Sequence, residues 1–278
     1  MQSLVLGTAQ WGNPYGVTNS QGRLTDEALA EIIVVAQGAG IGAIDTAGMY
    51  GDAEARLAPW AADFSITTKV RGADPQTIPA QLKASLAALG KGSVANCLIH
   101  DWAQLTEAQA KASAEQLEDM QEIGLVQQIG VSAYDETDLN RAASIFGQLE
   151  IAQVPINVLD QRLINSNILQ TLASEGTRIQ ARSVFLQVLL AARSDTKQGQ
   201  HPEVIKFHDW CESNGEQPIE VALSFAMSIA PITEVVIGVT TGAELNDLAH
   251  AWATCQQGLD IDGLASGDIA LLDPRTWA

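Results

Sequence analysis

The sequence predicts an α/β fold of a single domain over residues 1–278, a parallel (β/α)8 barrel of the TIM type. Three observations carry that prediction. Short apolar runs alternate eight times with longer amphipathic ones. Runs such as Ala95-Asn-Cys-Leu-Ile and Val235-Val-Ile are apolar on both faces, as in parallel strands covered on both sides. No Pro- or Ser-rich linker divides the chain. A doubly wound open sheet is the alternative arrangement of the same elements.

The eight predicted strands are 4–9, 43–47, 64–70, 94–100, 128–133, 151–156, 178–184 and 234–239. Helices are predicted near 25–39, 76–90, 107–123, 135–147, 166–175, 201–214 (continued by 218–229) and 241–254, with a weaker one at 53–61. Thr25, Thr106 and Asp135 each place a capping oxygen beside first-turn carboxylates, which suit the positive end of a helix. The run Gly38-Ala-Gly40-Ile-Gly42 supplies a residue for the left-handed position after a helix. The polar stretch 191–201 is expected to form a mobile loop after the seventh strand, on the face where barrel active sites form.

Composition narrows the function. The 278 residues are 46% apolar and 17% charged, a balance typical of a folded globular chain. Lys and Arg total 15 against 33 Asp and Glu, a formal net charge of −18. Such a field repels phosphate backbones and anionic lipid, so neither nucleic acid nor a membrane surface is expected as a partner. Cys97, Cys211 and Cys255 are odd in number and scattered, which suggests neither a disulfide frame nor a zinc site and fits a reducing compartment. With no signal-like N-terminus and no run of about 18 to 20 apolar residues, the chain is expected to be cytoplasmic, as a monomer or weak homo-oligomer.

In a barrel, ionisable residues at the C-terminal ends of strands are candidates for function. Asp45 ends the second strand, Tyr50 follows in its loop, Lys69 ends the third and His100 the fourth. Singly, an Asp before Thr caps helices, a Lys snorkels, and a His is more often structural. Together they make one device. A buried ammonium needs a carboxylate, which Asp45 provides. A tyrosine beside that ammonium is expected to have a lowered pKa and to give its proton to a carbonyl oxygen while hydride attacks the carbon. The histidine orients that oxygen or shares the proton.

The motif from Asp45 to Tyr50-Gly51, with Lys69 and His100 in order, resembles the aldo-keto reductase family across essentially the whole chain. The resemblance extends to Gly130-Val-Ser132, to Gln153, to the stretch Ala181-Arg182-Ser183-Val-Phe185-Leu-Gln187, and to Gly238-Val239-Thr240-Thr241 before a helix. It implies an NAD(P)-dependent oxidoreductase acting on a small carbonyl compound, with Tyr50 as general acid/base and Asp45, Lys69 and His100 catalytic. It implies nicotinamide-cofactor binding by Gly7, Thr8, Asp45, Ser132, Gln153, Arg182, Ser183, Phe185, Gln187, Gly238, Val239, Thr240 and Glu244. Substrate contact is implied for Tyr50, His100 and Trp11, and less so for Tyr15. The opening Gly7-Thr-Ala-Gln-Trp11-Gly is similar to bacterial members associated with sugar and polysaccharide metabolism.

The sequence departs from the family pattern at Ala133, where Asn is common, at Arg182, where a ring-stacking Tyr is common, and at Val188, where Gly is common. Around Thr240, Thr241 and Glu244 no cation stands ready for a 2′-phosphate. NAD(P)H is therefore the expected cofactor, with NADP not strongly preferred. The short stretch after the eighth helix predicts an open or polar substrate site suited to sugar-like molecules. Two other readings keep the same residues: a non-catalytic nicotinamide-binding regulatory module, and a lyase or epimerase using bound NAD without net redox. A metal-dependent hydrolase is disfavoured, since His201 and His208 are expected on a surface helix without strand-end ligands; no metal is expected.

Overall fold

The computed structural model describes residues 2–12, 23–255, 258–259 and 261–277. Its strands are β1 (Ser3–Gly7), β2 (Ala43–Asp45), β3 (Ser65–Val70), β4 (Val94–Ile99), β5 (Val126–Ser132), β6 (Ile151–Pro155), β7 (Arg178–Arg182) and β8 (Ile232–Gly238). All pair in parallel and in sequence order, and β8 returns to β1, so the sheet is a closed barrel rather than an open one. The helices are α1 (Ala9–Gly12), α2 (Asp26–Gly38), α3 (Ala53–Leu57), α4 (Ile78–Leu89), α5 (Glu107–Glu122), α6 (Glu136–Phe146), α7 (Arg162–Asn165), α8 (Ile168–Ser174), α9 (Pro202–Asn214), α10 (Pro218–Ser228), α11 (Gly242–Thr254) and α12 (Ile269–Leu272).

Local chemistry explains where these elements begin and end. Thr25 accepts from the Ala28 amide, Asp135 from Asp138, and Thr106 forms a reciprocal capping box with Gln109. Helix α2 stops at Gly38, and Gly40 takes φ +72°, open to glycine without a side-chain clash. The weak helical segment at 53–61 divides into α3 and a 3-10 turn, Ala58–Asp63, whose Pro59 lacks the N–H a continuing helix requires. Predicted strands overrun the paired ones because burial outlasts pairing: Ala47, Ile156 and Val184 are buried but lie beyond β2, β6 and β7.

The apolar core lies between the barrel and its helices. The barrel interior is polar instead. Along β7, Ile179 and Ala181 are buried against the helix layer, while Arg178, Gln180 and Arg182 occupy the alternate positions. A hydrogen-bonded chain threads the interior: Arg178 donates to Gln128 and to Glu234 (2.7 Å), Gln180 donates to Glu234 (2.8 Å), and Gln153 donates to Gln180 (3.0 Å) and to Asp45 (2.7 Å). This rod of polar groups ends at the rim where the strands finish.

No helix among the described residues is long and apolar enough to cross a membrane. No group of three or more metal-ligating side chains occurs among them either. His201 caps α9, its ring accepting from the Glu203 amide. His208 departs from the surface placement expected of it. It is buried on the inner side of α9 and bonds to the Leu189 carbonyl (2.8 Å), tying the helix to the segment after β7. Residues 194–200 form a turn closed on itself by Ser194 and Thr196.

Candidate active site

A cleft of about 190 Å³ opens at the C-terminal ends of the strands. A broader depression of about 590 Å³ runs along α9 between Pro202 and Asn214, but none of the strand-end groups reaches it. Asp45 and Tyr50 enter the cleft from the end of β2, His100 from β4, Ser132 from β5 and Gln153 from β6. Arg182 lines it from the end of β7, Ser183, Phe185 and Gln187 from the segment that follows, and Gly7 and Gly238 from β1 and β8.

Five implied residues stand elsewhere. Trp11 is fully buried among core residues because the single turn of α1 directs it inward, and its neighbour Gln10 lines the cleft in its place. Thr8 is also fully buried and donates to the Asp45 carbonyl (3.2 Å), and Val239 lies in the core. Thr240 and Glu244 sit at the start of α11, outside the cleft lining. Tyr15 lies outside the described residues.

The Lys69 ammonium is 1% exposed and uses its three protons fully. It donates to Asp45 Oδ2 at 2.6 Å, to the Thr46 carbonyl at 3.0 Å and to Tyr50 Oη at 3.4 Å. Burial works against this charge, yet the adjoining Asp45 and Tyr50 raise its pKa above the usual lysine range. Burial also raises the Tyr50 phenol above 10, outweighing the pull of Lys69. The expected lowering is thus reversed, because desolvation acts on the phenolate before its neighbour does. Tyr50 remains a protonated donor at neutral pH.

His100 meets Tyr50 edge-on, with ring centroids 5.8 Å apart. Burial, joined by the nearby charges of Lys69, Arg182 and Arg71, pushes its pKa down to about 3. The imidazole is therefore neutral across physiological pH, able to orient an oxygen but not to supply an acidic proton. Among the described residues its buried Nδ1 has no partner.

Comparison with protein families matches residues 3–262 to the aldo/keto reductase family. The chain belongs to the aldo/keto reductase family. It is accordingly an oxidoreductase of the type that works with nicotinamide cofactors. Comparison of the sequence with curated proteins finds no match. Among solved structures, a candidate aldo-keto reductase from Pseudomonas aeruginosa superposes with a TM-score of 0.68 at 17% identity, covering 91% of this chain and 90% of that one. The glycerol dehydrogenase of Gluconobacter oxydans gives 0.72 at 19% identity, covering 98% and 92%. At these identities the likeness speaks for the fold alone.

Sequence reasoning missed several residues of this aldo/keto reductase. Tyr134, two residues beyond Ser132, lines the cleft and also an adjoining hollow of about 180 Å³ that holds Arg71, Asp101 and Arg275. Its position just past a strand end was the available signal. The Tyr134 ring packs against two guanidinium groups, Arg182 at 4.3 Å and Arg275 at 3.4 Å. Arg275 belongs to the stretch after α12, so the C-terminal segment does shape the rim. Behind β3, Glu54 is 6% exposed and accepts from Thr68 (2.6 Å). Nothing in the local pattern of α3 distinguished it from a surface glutamate.

Proposed function

We propose that this enzyme moves a hydride between a nicotinamide and the carbonyl carbon of a small, sugar-like aldehyde or ketone, reversibly, with Tyr50 as general acid/base. The observation that carries the reading is the buried contact of Tyr50 Oη with Lys69 Nζ, itself clamped by Asp45. In reduction the neutral phenol gives its proton to the developing alkoxide, and the fixed ammonium stabilises the phenolate left behind. His100, neutral and beside Tyr50, orients the carbonyl oxygen. The bound nicotinamide supplies or accepts the hydride.

The residues present fit a nicotinamide. Asp45 accepts only, so Gln153 must turn its Nε2 toward it, and Gln180 takes the other proton. Gln153 Oε1 is left without a protein partner among the described residues, an acceptor that would suit a carboxamide, and Ser132 lines the same cleft from β5. At Gly238 a Cβ would stand 2.5 Å from the movable end of the Gln10 side chain, so the β8 backbone comes close to the cleft there. At the adenosine end, Glu244 accepts from the Thr240 amide (2.7 Å) and hydroxyl (3.0 Å). A carboxylate in that position disfavours a 2′-phosphate and suits a ribose hydroxyl, which supports use of NAD without strong preference for NADP.

The polar rim of the cleft supports a hydroxylated substrate. The free cysteines support a reducing, cytoplasmic setting. Replacing Tyr50→Phe is expected to lower carbonyl reduction by roughly 10²-fold or more while fluorescence titration still reports cofactor binding; undiminished turnover rejects the assignment. Titration with both reduced cofactors is expected to give NADH a dissociation constant at or below that of NADPH. A clearly tighter NADPH complex overturns the preference.

A further inference from the structure

The chain has nine arginines among 33 carboxylates. Eight of them, Arg23, Arg56, Arg71, Arg141, Arg162, Arg178, Arg193 and Arg275, hold a carboxylate within 4.0 Å. The ninth is Arg182. Among the described residues it has no carboxylate within 4.0 Å, although Asp273 feels its charge, and it is the one that lines the cleft with Tyr50 and His100.

Its contacts are those of an underused fork. One terminal nitrogen reaches Ser183 Oγ and the other the Ala133 carbonyl, both at 3.3 Å, while Nε is buried with no acceptor. The guanidinium is nonetheless fixed in place. It lies over the Tyr134 ring, which Arg275 also packs against, and Arg275 is locked by paired hydrogen bonds to Asp273 (2.9 and 2.6 Å). Arg71 lies across the adjoining hollow. The field at His100 reflects this: burial is the largest influence on its ring, and the charges that add to it are all cations. In a protein of net charge −18, a positive reaction site built from arginine is a local inversion.

We propose that Arg182 receives an anionic group, carboxylate or phosphate, on the carbonyl substrate. A planar guanidinium with free N–H groups matches such an oxyanion bidentately, and its stacked, half-buried setting has already paid the ordering entropy. The anion takes no part in bond making. Hydride passes from the reduced nicotinamide to the carbonyl carbon, the Tyr50 proton passes to the oxygen, and the oxidised nicotinamide and an alcohol result. The proposal rests on the reductase reading above and narrows its substrate class to acidic hydroxy-carbonyl compounds.

The test compares matched substrates: succinic semialdehyde against butanal, and glyceraldehyde 3-phosphate against glyceraldehyde. In the unaltered enzyme an anionic member is expected to exceed its neutral counterpart about tenfold or more in kcat/KM, mainly through KM. Preference within the first pair alone marks a carboxylate, and within the second alone a phosphate. In Arg182→Met that ratio should collapse toward one, and Arg182→Lys should recover only part of it. Equal rates within both pairs overturn the proposal. So does an Arg182→Met enzyme that keeps its ratio, including one that instead binds NADH more weakly. If none of the four aldehydes is reduced, the reductase reading falls. Calorimetry with succinate against succinamide then decides for Arg182. Succinate binding that is lost in Arg182→Met upholds the anion site, and equal or absent binding rejects it.

Discussion

Two carboxylates are buried on opposite sides of β3, and they are held in opposite ways. Asp45 faces the barrel interior, where the Lys69 ammonium lies 2.6 Å away. Glu54 reaches the outer side of the strand from α3 and meets only hydroxyls, Thr68 first and then Ser85. Thr68 and Lys69 are consecutive residues, so the pleat sends one to each carboxylate. Burial raises the Glu54 pKa above its ordinary 4.5, and the hydroxyls only soften that. The difference shows that depth alone does not decide how a buried acid is held. The neighbour that comes with it does. The interior acid is held by a counter-ion that also reaches Tyr50; the exterior acid serves as a hydrogen-bonded brace between α3 and β3.

The sharpest way to break this contrast is to remove the cation. Lys69→Met leaves Asp45 buried and unpaired and is expected to cost about 3–5 kcal/mol of stability, read by chemical denaturation, together with loss of turnover. A destabilisation under about 1 kcal/mol would show that Asp45 does not depend on its partner. Next in size is Thr68→Val, which takes a donor from Glu54 and keeps the shape. An unsatisfied buried acceptor costs about 1–3 kcal/mol, and here the fall should be smallest at acidic pH, where Glu54 is protonated.

The smallest effect is expected from Glu54→Gln, and it depends on pH. Because folding raises the Glu54 pKa, the native state binds the extra proton, and wild-type stability declines as pH climbs from 4.5 through the folded value. The Gln variant lacks that decline. Denaturation at pH 5 and pH 8 should therefore move the comparison in favour of Gln at the higher pH. A pH-independent difference would mean that Glu54 is ionised in both states.

Much of the barrel was legible because its signals are local. The caps at Thr25, Thr106 and Asp135 depend on residues three positions away, and the apolar runs mark each strand within a residue or two. The pairing of Lys69 with Asp45 was also legible, since a lysine in an apolar strand has few ways to exist. What escaped depends on distant parts of the chain. The direction of the Tyr50 shift required knowing how completely the phenol is enclosed. The fate of Trp11 turned on the single turn after β1, and that of His208 on a carbonyl in another loop. Arg182 was visible as a departure from the family pattern, but its lack of a carboxylate emerges only once the partners of the other eight arginines are known.

The polar rod inside the barrel has a consequence for direction. Its two anchoring acids, Glu234 below and Asp45 above, can only accept, so every amide between them has one permitted orientation. Gln153 is left facing the cleft with an oxygen and no proton to offer. A group bound over that residue would meet an acceptor, so an N–H donor would suit the position. The barrel floor is thus polarised from its two ends: the carboxylates at either end set which side of each amide between them donates and which accepts.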